Sequence, residues 1–333
     1  MGESGYPLFT RPFYFLTKVN VGNVYDAVVE KVLRRKTDRH GTAQRLPRSF
    51  KIEHERTMPV LSPAEIQQFQ QQGFLLIPQV YAKGDLLAAR ALFQKVFSEK
   101  NLHCGRFDSS TLLTDIYRHF PGLERCVFNE RYRAVARELL GPEAVLIPEC
   151  AVHRNRFIHW HKDTTVQEMA GVKSHSARDA PPILQFATYF QDNSNQGGGL
   201  TVIPGTHRLP DPFLGLYSSH PLKRLWSKLL KIMHLSVFDA LEQHPDKTDI
   251  PLQLGDLLVF DVRIFHRATF RGPAGAPEKF AIFNTCIHPK GAGLEYFRFM
   301  KQRPEPYYRY FREEPLPPAL WQRAKALGID ILY

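Results

Sequence analysis

Phe157-Ile158-His159-Trp160-His161-Lys162-Asp163 is the stretch from which the rest of the chain is read. Residues two apart on an extended strand leave the same face, so a strand here would project His161 and Asp163 together. A second imidazole arriving from elsewhere, with His266 as the candidate, would complete two histidines and one carboxylate around a metal ion. Three protein ligands on one side of an octahedral ion leave the other side open to reactants. His159 is also two residues from His161, so an H-x-H pair is an alternative. His207 is an alternative to His266 as the remote ligand. The residues alone leave both alternatives open.

Composition describes a globular chain. Of 333 residues, 43% are hydrophobic and 23% charged, enough for a substantial core in one large domain or two ordinary ones. No apolar run approaches the roughly 18 residues of a membrane span. Glu3 comes early, and no apolar stretch follows a charged start, so no secretory leader is expected. The cysteines (Cys104, Cys126, Cys150 and Cys286) are scattered with no C-x-x-C pair. That spacing argues against a zinc ribbon or disulfide framework and for buried thiols in a reducing, cytoplasmic setting. The net charge of +11 is concentrated in part between Lys31 and Arg56. A basic arm of this kind can hold an anionic partner. No nucleic-acid motif accompanies it and aromatic residues are not interleaved with the charges, so a nucleic-acid partner is not expected. Oligomeric state is not legible.

Local signals divide the chain in two. Val24 to Leu33 has helical spacing, within a basic extension of residues 1–60. Leu61-Ser62-Pro63-Ala64-Glu65 predicts a helix start: Ser62 caps, Pro63 occupies the first turn, and Glu65 closes a capping box. That helix should end at Gly73, before a short buried strand at Phe74 to Ile77. Further helices are predicted from Asp85 and over Arg131 to Leu140. From about Val145 the texture changes to short strands: Val145–Ile147, Ile183–Phe190, Leu200–Ile203, Leu257–Phe260 and Phe280–Ile287. Helices first and strands afterwards imply an α+β protein, with a helical layer over a β-barrel or sandwich. Thr164–Pro182 and Arg208–Ile250 read as insertions that shape a substrate pocket, the second with a helix around Leu222 to Phe238.

Trp160-His161-Lys162-Asp163 resembles the W-H-x-D ligand motif of the phytanoyl-CoA dioxygenase family of Fe(II)/2-oxoglutarate oxygenases. Three further segments are similar in type and order. Gly198-Gly199-Leu200-Thr201-Val202-Ile203-Pro204-Gly205-Thr206-His207 resembles the family's N-G-x-L-x-x-x-P-G-[ST]-H block. Gly255-Asp256-Leu257-Leu258-Val259-Phe260 resembles the G-D strand ahead of the second histidine, and His266 falls where that histidine belongs. The resemblance covers about residues 61–290.

It implies a double-stranded β-helix, a cupin-like jelly-roll barrel, over residues 61–300, with 301–333 as a C-terminal extension packing on it. It also implies Fe(II) held by His161, Asp163 and His266, with 2-oxoglutarate and O2 as cosubstrates. Succinate and CO2 would be coproducts of the hydroxylation of a C–H bond in a small-molecule metabolite. An intact Asp163 favours hydroxylation over halogenation, where related enzymes carry Gly or Ala. One departure stands out. The family supplies Arg for the far carboxylate of 2-oxoglutarate, whereas Lys279 stands at that position, with Arg271 as fallback and Arg267 behind it. Lys is a point charge without the bidentate fork of Arg. Two other classes stay open: a redox-neutral cupin-like metalloenzyme, and a non-catalytic binding protein on the same scaffold. The chain ends Ile331-Leu332-Tyr333 rather than in a peroxisomal S-K-L tripeptide, which speaks against a fatty-acyl-CoA substrate.

Overall fold

The first described helix, α1 (Pro63–Gln72), starts and stops where the residues dictate. The Ser62 side chain accepts from the Glu65 backbone N–H, and Glu65 accepts from the Ser62 backbone in return. Gly73 ends the helix at φ 81°, in the left-handed region that favours glycine. The computed structural model describes residues 60–98, 112–114, 116–148, 151–155, 158–165, 181–193, 198–211, 237–269, 278–302 and 315–332. The basic arm with its Val24–Leu33 segment, Cys104, Cys150, Arg271 and much of both insertions lie outside the described residues.

Among the described residues, four helices separate β1 (Phe74–Ile77) from the barrel strands: α2 (Lys83–Ser98), α3 (Ile116–His119), α4 (Leu123–Val127) and α5 (Glu130–Leu140). Helix α2 starts two residues ahead of the expected Asp85. The short strand β2 (Leu112–Thr114) lies among them. Then come β3 (Val145–Ile147), β4 (Ala151–Arg154), β5 (Leu184–Tyr189), β6 (Leu200–Ile203), α6 (Val237–Glu242), β7 (Thr248–Asp249), β8 (Leu257–Asp261), β9 (Phe265–Ala268) and β10 (Phe280–Ile287). Two helices, α7 (Ala292–Gln302) and α8 (Pro318–Leu327), precede β11 (Asp330–Ile331). Of the predicted helix around Leu222 to Phe238, only the end at Val237 is described, and it is helical.

The strands form two sheets. The larger runs β1-β8-β5-β10-β3-β11, with β4 also on β10 and β2 on β4; the smaller runs β7-β6-β9. All pairings are antiparallel except β11 on β3. Two-residue alternation decides what each face of the larger sheet meets. Leu184 and Phe186 of β5, Leu257 and Val259 of β8, and Phe280 and Ile282 of β10 join Phe93, Tyr132 and Leu140 in the core under the helices. Their neighbours Ala187, Tyr189, Leu258, Phe260 and Ala281 join Leu200 and Val202 of the smaller sheet in a second core. One face is therefore helical cover and the other is barrel interior. This is the α+β jelly roll expected from the sequence, with strands buried on both sides reading as continuous apolar runs.

Aromatic packing fastens the helical layer. Phe186 is fully buried and its ring centroid lies 4.4 Å from that of Tyr132. Phe93 meets Phe190 edge to face at 5.0 Å. Phe186→Ala should lower unfolding free energy by about 3–5 kcal/mol, the usual cost of emptying a buried aromatic site. Denaturant unfolding checks this, and a loss below about 1 kcal/mol would contradict the packing described.

Candidate metal centre

His161 and His266 meet as directly opposed residues of an antiparallel pair. The His161 N–H donates to the His266 carbonyl at 3.0 Å, and the His266 N–H returns the bond to the His161 carbonyl at 3.0 Å. Ala268 N–H also donates to the Ile158 carbonyl. The segment 158–161 therefore extends the smaller sheet beyond β9. Opposed residues in such a pair present side chains on one face, and the two imidazole centroids are 4.2 Å apart. Asp163 does not continue the strand, contrary to the sequence expectation. The chain turns there, and the Asp163 N–H donates to the Val262 carbonyl at 3.0 Å. The turn still brings its carboxylate to the imidazoles, with Oδ1 3.4 Å from His161 Nε2 and 3.8 Å from His266 Nε2. One donor atom from each residue lies within 4.8 Å of the others.

Both imidazoles are oriented by the same local device. Nδ1 of His161 is 2.6 Å from the His159 carbonyl, and Nδ1 of His266 is 3.1 Å from the Ile264 carbonyl. A carbonyl only accepts, so each Nδ1 donates to it, and each Nε2 is the nitrogen turned toward Asp163. Burial, helped by the nearby His161, pushes the pKa of His266 down to about 4. The donor set is thus two imidazoles with Nε2 available and one carboxylate, on one side of a common point. This chemistry suits a ferrous ion with open positions.

Residues flanking the imidazoles turn outward, as strand alternation requires. Lys162 is buried, although its type is normally solvated. Its ammonium donates to the carbonyls of Thr206 (2.9 Å) and Leu209 (2.8 Å) and lies 4.5 Å from the Phe265 ring centroid. The Thr206 hydroxyl accepts from the Phe265 N–H at 3.0 Å and donates to the Ile203 carbonyl. The Pro204-Gly205-Thr206-His207 turn therefore grips the residue after His161 and the residue before His266. Sequence reasoning missed Lys162 and Thr206 as supports. The signal available was the i±1 position of each candidate ligand.

The rival histidines stand elsewhere. His159 is exposed, and its part is to offer the carbonyl to His161. His207 Nε2 donates to the Gln70 carbonyl at 3.2 Å, and its ring lies so close to Gly73 that a Cβ there would be 2.4 Å from Nδ1. The Arg208 guanidinium also donates to Gln70, and the Gly205 N–H donates to the Gln72 carbonyl. His207 and its neighbours thus satisfy last-turn carbonyls that a helix end leaves orphaned. His207 therefore fixes the end of α1 and lies outside the group of His161, Asp163 and His266.

Lys279 is buried, just ahead of β10; its N–H donates to the Asn155 side-chain Oδ1 and its carbonyl accepts from the Asn155 N–H. Two-residue alternation from Ala281 directs it into the barrel. Its stem crosses to the smaller sheet, where a Cβ on Gly198 would come within 2.6 Å of its Cγ; Gly198 has φ 78°. Burial, together with the Arg90 charge, lowers its pKa against the pull of Asp192. Arg267 points outward, with Nη2 3.2 Å from Glu242 Oε1.

The family model for phytanoyl-CoA dioxygenase (PhyH) matches residues 60–270. The ectoine dioxygenase of Halomonas elongata is 24% identical over 269 residues, covering 74% of this chain and 77% of its own. The ectoine dioxygenase of Streptomyces avermitilis is 21% identical over 271 residues, covering 74% and 85%. Among solved structures, HygX from Streptomyces hygroscopicus with nickel and 2-oxoglutarate bound is similar at 17% identity and TM-score 0.48, covering 68% and 87%. AviO1 from Streptomyces viridochromogenes is similar at 16% identity and TM-score 0.48, covering 71% and 98%.

Calorimetric titration with Co(II) should show one site in the wild-type protein and no measurable site in His161→Ala, Asp163→Ala or His266→Ala. His159→Ala and His207→Ala should retain it. Retention in His266→Ala with loss in His207→Ala would transfer the remote ligand to His207.

Proposed function

The chain belongs to the phytanoyl-CoA dioxygenase family of Fe(II)/2-oxoglutarate oxygenases, and from that premise we propose that it hydroxylates a C–H bond of a small-molecule metabolite. The observation that carries this reading is the convergence of His161, Asp163 and His266 at one point. These three side chains would hold the ion. When bound, ferrous iron supplies the oxidising chemistry: with 2-oxoglutarate and O2, the substrate R–H becomes R–OH while the oxo acid becomes succinate and CO2.

The chain's own residues set the conditions for that chemistry. The carbonyls of His159 and Ile264 hold both imidazoles with Nε2 inward. Phe260, whose ring is 5.0 Å from that of His266, and Val202, its cross-strand partner, keep water from the inner side of the imidazole. Exclusion of water matters because it protects reactive species from side reactions. Lys279 would receive the far carboxylate of 2-oxoglutarate. Its burial, its inward direction and the glycine at 198 that leaves room for its stem support that assignment. A lone ammonium makes a weaker anchor than the forked guanidinium.

The relatives named for ectoine act on a small molecule, and a small-molecule substrate is proposed here as well. Their identities of 24% and 21% do not carry ectoine itself to this chain, because fold and family hold many substrates.

Anaerobic addition of Fe(II) and 2-oxoglutarate together should raise a visible metal-to-ligand charge-transfer band, and O2 should then yield succinate. Metal uptake without the band or succinate would instead favour the redox-neutral cupin-like class. Lys279→Ala should raise the half-saturating 2-oxoglutarate concentration about ten- to a hundred-fold, the scale of one charge-assisted bond. An unchanged value would remove Lys279 from the cosubstrate pocket.

A further inference from the structure

The two imidazoles are gripped from outside at a second place, by a residue of the insertion between β6 and β7. Glu242, the last residue of α6, reaches both chain segments that carry them. Its Oε2 accepts from Trp160 Nε1 at 2.8 Å and lies 3.1 Å from Arg267 Nε; its Oε1 is 3.2 Å from Arg267 Nη2. Trp160 immediately precedes His161, and Arg267 immediately follows His266. The Arg267 guanidinium stacks over the Trp160 ring at 5.3 Å, so the two outward residues also meet each other. Lys247 Nζ completes the cluster, donating to Glu242 Oε1 at 2.8 Å and to the Glu242 carbonyl at 2.6 Å. Beside these polar groups, Trp160 and Phe265 form a small apolar cluster with Leu241, Ile203 and Val237, which seats α6 on the outer face of the site. Partial burial opposes ionisation of Glu242, but the donors Lys247 and Trp160 and the charge of Arg267 outweigh it and lower its pKa.

We propose that Glu242 is a positioning residue for the metal centre, fixing the distance between the two strands that carry His161 and His266. Resting on the metal-site reading, this inference adds a consequence: α6 is mechanically joined to the ligand pair. The mechanism is steric and local. One carboxylate bonds Trp160 on one side and Arg267 on the other, and each of these is a peptide bond away from an imidazole. Removing the carboxylate releases Trp160 and Arg267 from a common anchor, and the two Nε2 atoms lose part of their preset separation.

The experiment is Co(II) titration by calorimetry and visible absorption on the full chain, with the thermal midpoint of metal-free protein measured in parallel. Glu242→Ala should weaken Co(II) binding at least about three-fold and alter the Co(II) absorption bands. That scale lies below the about 10–100-fold lost when a direct hydrogen-bond partner of a ligand is removed. Glu242→Gln keeps an acceptor for Trp160 but not the charge facing Arg267 and Lys247, and should fall between Glu242→Ala and wild type. Trp160→Phe, which deletes only the N–H, should weaken binding in the same direction; it decides the matter if Glu242→Ala does not fold. A lowered thermal midpoint with wild-type Co(II) affinity and spectrum in these variants would overturn the proposal and leave the metal site standing. Failure of the wild-type chain itself to take up Co(II) would overturn both.

Discussion

Two reciprocal backbone hydrogen bonds between His161 and His266 are the constraint from which the site follows. They join a segment in the middle of the chain to a strand far downstream, and they fix the register at which one residue opposes the other. Opposition in an antiparallel pair sends both side chains to the same face. A slip of one residue in the 158–161 segment would turn His161 away from His266, which β6 holds in place, and bring Trp160 and Lys162 inward. The contacts on the outer face hold against that slip. Outside, the Lys162 ammonium meets two carbonyls and the Trp160 N–H meets Glu242. Polar groups buried with their partners in one register would be stranded in the other, at the cost of unsatisfied buried donors.

The larger sheet gives this pair its surroundings. Alternate residues of β5, β8 and β10 divide cleanly between a helical cover rich in aromatic rings and a barrel interior shared with the smaller sheet. Among the described residues, the helices contribute no candidate ligand. They remove one face of the sheet from water and leave the other to the chemistry, and α1 is sealed at its end by the same Gly205-to-Arg208 turn that grips Lys162. One short motif therefore ties the cover, the sheet and the ligand segment together. Its run of small, polar and basic residues reflects three separate contacts.

How much of this was legible beforehand depends on whether a signal was local. Ser62, Pro63, Glu65 and Gly73 announce a helix by capping chemistry that needs no tertiary partner, and α1 has those bounds. Apolar runs at Val145–Ile147, Leu200–Ile203 and Phe280–Ile287 are strands as read. Strands β4 and β9 escaped, because Ala151-Val152-His153-Arg154 and Phe265-His266-Arg267-Ala268 are short and polar and become strands through pairing with distant partners. The closing helices α7 and α8 were likewise passed over. At the site, the histidine–carboxylate set was legible from spacing and resemblance. The turn at Asp163 was not, because part of what fixes it is a bond to the distant Val262 carbonyl. Nor could Glu242 be found, since a half-exposed glutamate far from the motif looks in sequence like any surface charge. His207, left open as a remote ligand by the residues alone, lies at a helix end and outside the group that His161, Asp163 and His266 form.

The central claim is that His161, Asp163 and His266 hold one iron ion between them. Crystals grown anaerobically with Fe(II), measured on either side of the iron absorption edge, test it most directly. The account predicts a single anomalous peak in contact with Nε2 of both histidines and a carboxylate oxygen of Asp163, with no protein atom on the opposite side of the ion. A peak at His159 or His207, or iron bound by only one of the two imidazoles, would contradict it.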